Sequence, residues 1–263
     1  MTGLWFAEQQ VLRASAASPV DALHACSYPL VPYSNRVGYR TLHWADQEYV
    51  LTENFAPEPH AIHGVGWSHS WSVQAITAHE AVLTCQHVAD AAWPFAFDSR
   101  QTFSLTHNAL ELTMSITNRA DVAAPAGLGW HPYFAKSAQT RLQFAAAGRW
   151  EMGHDKLPTV CVASTGLDTD CAQLDVDHCF DGWSGQLQLV DGSLRITVRS
   201  DLDRLVVYTT PQRDSIAIEP VSHVNNALAL AHHTGQSAQS LGVRVLQPGE
   251  TFSASMRIQV ENT

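Results

Sequence analysis

The stretch QTFSLTHNALELTMSI, residues 101–116, decides the fold. Phe103 and Leu105, then Leu110, Leu112, Met114 and Ile116, alternate with polar neighbours, and His107-Asn108 separates the two runs. A period of two puts each apolar set on one face of a strand, and a polar break between two such runs reads as a hairpin with one buried face. The same period recurs outward from this hairpin: in Val73 to Ile76 and Val82 to His87 before it, and in Leu187 to Leu189, Leu194 to Val198 and Leu205 to Tyr208 after it. Asp191-Gly192 marks another tight turn. Helical periodicity is sustained nowhere, and 12 prolines and 15 glycines are spread along the chain without a linker, low-complexity segment or repeat. The expectation is an all-β, antiparallel β-sandwich in one domain over residues 1–263.

With 263 residues, 45% of them hydrophobic and 15% charged, the chain can bury a sizeable core. A formal net charge of −10 and the absence of any Lys/Arg run argue against a nucleic-acid partner. No apolar stretch approaches the ~20 residues that span a bilayer, and Met1 to Gln10 carries Glu8 and no cationic leader pattern, so a cytoplasmic protein without membrane contact is expected. Five cysteines without a C-x-x-C pair fit neither a disulfide framework nor a tetrathiolate zinc site. His60, His63 and His69 lie close in sequence, but after His79-Glu80 the second ligand position of an H-E-x-x-H helix is Leu83; no metal site is expected.

Four segments mix acids, bases and aromatics with turn residues: Pro32-Tyr33-Ser34-Asn35-Arg36, His63-Gly64-Val65-Gly66-Trp67, Gly129-Trp130-His131-Pro132-Tyr133-Phe134 and Ile218-Glu219-Pro220-Val221-Ser222-His223. A fifth, Asp177-His178-Cys179-Phe180, precedes Gly182-Trp183. In this order and spacing they resemble the aldose 1-epimerase (galactose mutarotase-like) family over nearly the whole chain. The resemblance implies an antiparallel β-super-sandwich with few short helices and an open sugar cleft. It also implies Glu219 as general base and His131 as general acid, with Arg36, His63 and Asp177 holding hydroxyls, and no cofactor. Asn35, Trp67 and Trp183 are further candidates for sugar contact, the tryptophans as stacking platforms. Asp177 and Asp181 compete for one role; the motif favours Asp177, while Asp181-Gly182 reads as a turn.

The chemistry is self-consistent. Mutarotation takes the proton from the anomeric hydroxyl, protonates the ring oxygen, breaks the C1–O5 bond, and recloses the ring after rotation about C1–C2. One base and one acid, read as standing on opposite sides of the ring, suffice. On residue chemistry alone, Glu219 also reads as a surface carboxylate of an edge strand that ends at Pro220, and His131 as a hydrogen-bonded core histidine. A glycoside hydrolase would need two carboxylates roughly 5–10 Å apart, which Asp177 and Glu219 could supply, but the strongest motif offers a histidine instead. A non-catalytic sugar-binding module would keep the cleft without needing both His131 and Glu219. Gly66-Trp67-Ser68-His69 and the continuation Pro220-Val221-Ser222-His223 depart from galactose mutarotases, leaving open whether the sugar is neutral or anionic. Arg36 is the one motif-borne cation for an anionic sugar, with Arg40 and Lys136 near in sequence. A monomer or homodimer is expected.

Overall fold

The computed structural model describes residues 1–15 and 22–263. The hairpin of residues 101–116 is present: Phe97–Leu105 pairs antiparallel with Ala109–Asn118, Phe103 opposite Leu112 and Leu105 opposite Leu110. Leu110, Leu112, Met114 and Ile116 are all buried. Among the described residues this hairpin lies inside a nine-stranded sheet, in the order Leu167–Asp170, Arg141–Phe144, Gln186–Asp191, Leu194–Ser200, Thr251–Asn262, Ala109–Asn118, Phe97–Leu105, Glu80–His87, Ser72–Ile76. Asp191 pairs with Leu194 around Gly192, at φ 59°, as the turn signal requires.

A second, ten-stranded sheet carries the other motifs. Its path runs Leu4–Phe6, Gln9–Leu12, Tyr133–Ala135, Ser215–Val221, Arg204–Thr209, Val176–Asp181, Gly148–Met152, Pro158–Ala163. Gly129–Trp130 lies beside Ser215–Val221 and pairs with Pro29–Leu30. Among the described residues the paired strands all run antiparallel, apart from an isolated parallel bridge between Val31 and Gly64. Inward-facing residues of both sheets, among them Met114, Ile196 and Ile258 of one and Phe134, Leu205, Ile216 and Ile218 of the other, form one apolar cluster. Burying a Leu or Ile side chain contributes ~1.5–3 kcal/mol, so this shared core is what holds the sheets face to face. The fold is the all-β super-sandwich the motifs imply.

Three local readings change. Ser72–Ile76 forms, but at the sheet edge and exposed throughout, with Val73 and Ile76 in solvent. Pro220 does not end a strand: it sits inside Ser215–Val221, opposite Leu205, and every residue of that strand is buried. Ala227–Thr234, ALALAHHT, is an α-helix with no sustained helical periodicity, closed by Gly235 in the left-handed conformation.

Candidate active site

The register of the ten-stranded sheet builds the floor of the site. Tyr133 faces Ala217, Ala217 faces Tyr208, and Tyr208 faces Asp177, one row across four strands. Gly129 opposite Val221 and Tyr133 opposite Ala217 belong to one register, which sets His131 directly across from Glu219. A row two residues away places its side chains on the same face. His131 and Glu219 therefore project beside Tyr133 and Ala217, and the small Ala217 leaves room between the tyrosines.

Two turns supply the walls. Asn35 and His63 adopt φ of 54° and 59°, a region costly for residues other than glycine. They hold each other: the Asn35 N–H donates to His63 Nδ1 at 3.2 Å, and the His63 N–H to Asn35 O at 2.8 Å. Asn35 Oδ1 accepts from the Arg36 backbone N–H at 3.0 Å and from Arg36 Nη1 at 3.3 Å. Gly64 follows at φ 70°, where a Cβ would stand 2.3 Å from Val31 O. Only glycine fits there without displacing the chain.

These elements enclose a cavity of about 300 Å³ whose lining includes Asn35, Arg36, His63, His131, Asp177 and Glu219. That volume suits a single sugar, at the small end of the ~300–1,000 Å³ range for ligand pockets. Tyr28, Phe55, Glu58, Tyr133, Lys156, Tyr208 and Arg213 complete much of the lining. Asp177 lines the cleft, whereas Asp181 pairs with Arg204 Nε at 3.1 Å and accepts from Trp150 Nε1 at 3.2 Å, a framework role. Trp67 and Trp183 do not line it. Trp67 Nε1 donates to Gly64 O at 3.0 Å and its ring lies against Tyr28; Trp183 is buried and donates to Gln186 O at 3.0 Å. In both, the indole N–H is spent on backbone. Arg40 is absent from the lining, and Lys136 bonds Thr209 Oγ1 and Thr210 O elsewhere. The cations that join Arg36 are Lys156 and Arg213, which carried no sequence signal: Lys156 sits in an ordinary polar turn and Arg213 between strands.

His131 Nε2 lies 3.1 Å from Glu219 Oε1, both residues nearly inaccessible. The acid and base read as standing on opposite sides of the ring are in contact. The imidazole is stacked on Tyr28 at 4.6 Å, tilted against Tyr133 at 4.5 Å and edge-on to His63 at 5.2 Å. Glu219 Oε2 and His131 Nδ1 are buried without a partner. Burial, then the nearby Asp177, drives the Glu219 carboxyl well above its ordinary range, with Arg36 opposing. Burial, then His63, drives His131 well below its ordinary value. For both groups the neutral form is favoured. His63 is pushed down to about 3 by burial and by Arg36. Since its Nδ1 accepts from Asn35, it is a neutral ring with its proton on Nε2, a donor of fixed tautomer.

The family model described as aldose 1-epimerase matches residues 7–259. An uncharacterized Escherichia coli K12 protein, YphB, is 29% identical over 98% of this chain and 91% of its own. A crystal structure of a candidate aldose 1-epimerase from E. coli K12 superposes with a TM-score of 0.90 at 26% identity, covering 100% of this chain and 92% of that one. A galactose mutarotase-like protein from Clostridium acetobutylicum shares the fold with a TM-score of 0.83 at 18% identity, over 96% and 86% of the two chains. Motif order, super-sandwich and profile agree over the same span, and the chain belongs to the aldose 1-epimerase family.

Proposed function

We propose that this chain, acting as one domain, interconverts the α and β anomers of a free aldose, with Glu219 as general base and His131 as general acid. The observation that carries the reading is the buried His131–Glu219 contact, 3.1 Å long, at the floor of a sugar-sized cleft.

The pair shares one proton and exists in two forms that differ only in where that proton sits. In the ionic form the Glu219 carboxylate accepts the O1–H proton at its unpartnered Oε2 while the His131 imidazolium protonates O5. Ring opening leaves the pair neutral, carboxylic acid beside imidazole. Closure on the other face reverses each transfer, so no proton is lost to solvent. Burial favours the neutral form, the one that accompanies the open-chain aldehyde, so the site is biased toward the intermediate rather than the bound ring. Arg36, the His63 Nε2–H and Asp177 hold hydroxyls around the reacting carbon, and Asn35 fixes Arg36 and His63.

Lys156 and Arg213 in the lining support a second reading of the substrate, an anionic sugar. Both are tested by NMR exchange spectroscopy of purified protein against a panel of neutral and anionic hexoses. Faster exchange between anomers for at least one of them is expected. Binding without acceleration across the panel would contradict the enzymatic reading and favour a binding module. Among the described residues no helix is long and apolar enough to cross a membrane.

A further inference from the structure

One charged cluster in the cleft has no part in the proton transfers. Glu58, in the loop before Ala61–Ile62, has a side chain only 13% exposed and takes two cations at once. Lys156 Nζ lies 2.8 Å from its Oε1; Arg36 Nη2 lies 3.4 Å from the same oxygen and Arg36 Nε 3.5 Å from Oε2. Three segments far apart in the chain meet here, and all three residues line the cleft. Burial would raise the Glu58 carboxyl, but the hydrogen bonds from Lys156 and Arg36 outweigh it and hold the group below its usual range, so it is ionised.

The cluster is not needed to fasten the turn that carries Lys156. That turn, between Gly148–Met152 and Pro158–Ala163, is already pinned by Asp155, whose Oδ2 accepts from the Tyr39 hydroxyl at 3.0 Å and whose carbonyl oxygen lies 2.8 Å from His60 Nε2. His60 in turn accepts from the Tyr39 backbone N–H at Nδ1, at 2.9 Å. Nor is the Glu58–Lys156 pair a strong stability device, because Lys156 is 56% exposed and solvent screens the attraction. Yet Lys156 is held at φ 59°, in the left-handed region that Asn35 and His63 also occupy. For a lysine this backbone is costly, with no short polar side chain to offset it. What the strained turn achieves is placement of an ammonium beside an ionised carboxylate at the cleft wall.

A carboxylate accepts and an ammonium donates, and an ammonium with three donors that spends one on Glu58 keeps two. Neighbouring hydroxyls of a sugar present the complementary donor and acceptor. We propose that Glu58 and Lys156 are a specificity-determining pair that reads two adjacent hydroxyls of the bound sugar, Glu58 accepting from one and Lys156 donating to the other. The proposal rests on the sugar reading of the same cleft.

The test follows affinity and turnover separately. Calorimetric Kd and NMR exchange rates are measured for the preferred aldose and its single-deoxy analogues, with the unaltered protein, Glu58→Gln and Lys156→Met. Loss of a charge-assisted hydrogen bond predicts that each variant weakens Kd and raises KM by about tenfold or more, with kcat within about threefold and the thermal midpoint little changed. One deoxy analogue that weakens binding to the unaltered protein should weaken binding to the matching variant no further, because the contact is already gone. Unchanged Kd in both variants, or an equal loss for every analogue in variant and unaltered protein, would overturn the pair while leaving the anomer-exchange reading intact. An unaltered protein that binds sugars without exchanging them defeats the catalytic reading but leaves the Kd comparison decisive for the pair. An unaltered protein that neither binds nor exchanges any sugar overturns both.

Discussion

At the scale of the residue, the proposed chemistry turns on where one proton sits between His131 and Glu219. Because the carboxyl is raised and the imidazole lowered, the pair keeps one proton between its two titrations, and the proposed mechanism needs that one-proton state. The rate should fall in acid, as the pair gains a second proton below the ordinary histidine range. It should fall again in alkali, as the single proton is lost above the ordinary carboxylate range. A bell-shaped profile of kcat/KM against pH checks this, and its two apparent pKa values belong to the pair. His63, titrating at about 3, should leave no limb near neutral pH. His131 and Glu219 both stand out in the sequence through the ordered motifs, and the structure places both in the cleft lining. Their contact was not legible, because it depends on a register shared by Gly129–Trp130, Tyr133–Ala135 and Ser215–Val221, segments some ninety residues apart. Glu58 and Lys156 were invisible for a similar reason: neither flanks a motif, and only the fold brings them to Arg36.

At the scale of the element, the turn His63-Gly64 has no room for a side chain at its glycine. Gly64→Ala places a Cβ against Val31 O and Pro32 Cδ at a φ of 70°. The expected cost is about 1–3 kcal/mol in unfolding free energy, read by urea denaturation. A larger fall in exchange rate than the stability loss explains is expected too, because His63 moves with the turn. A rate equal to that of the unaltered protein would argue that His63 is not held for the substrate. Strands were the most readable elements, since a period of two in Leu110 to Ile116 and in Leu194 to Val198 needs only one buried face. Where that condition fails the reading fails with it. Ser72–Ile76 keeps the alternation at an edge with no buried face, while Ser215–Val221 is covered on both, which is why Glu219 reads as a surface carboxylate and is 2% exposed. Trp67 and Trp183 lie outside the cleft lining, and their place could not be read from the sequence because an aromatic beside polar residues looks alike as platform and as scaffold.

At the scale of the whole molecule, buried neutral histidines couple the fold to pH. His223, inside the fold, donates from Nδ1 to Val224 O at 2.8 Å and accepts from the Ser34 N–H at 3.1 Å. Burial pushes it down to about 4, the Val224 bond opposing. The unfolded chain, with histidines near ~6.5, binds more protons between those two values. Stability is therefore full above about pH 6.5 and is lost as pH falls toward about 4, by roughly 3 kcal/mol for this residue, with His63 adding to the loss. Glu219 acts in the opposite sense: its raised carboxyl stabilises the fold at low pH and withdraws that contribution as pH rises through its folded value. Urea midpoints should drop more between pH 7 and pH 4.5 in the unaltered protein than in His223→Gln, which removes the His223 contribution and leaves that of Glu219; the same pH profile in both would contradict the histidine burial. The central claim, that the His131–Glu219 pair moves the protons of sugar ring opening, is tested most directly by NMR exchange rates of the preferred aldose with Glu219→Gln, His131→Ala and the double variant. Each single change is predicted to slow exchange by about 10²–10⁴-fold, and the double variant by little more than the worse of the two, since the pair acts as a unit. Single variants that remain within about threefold of the unaltered rate would contradict it.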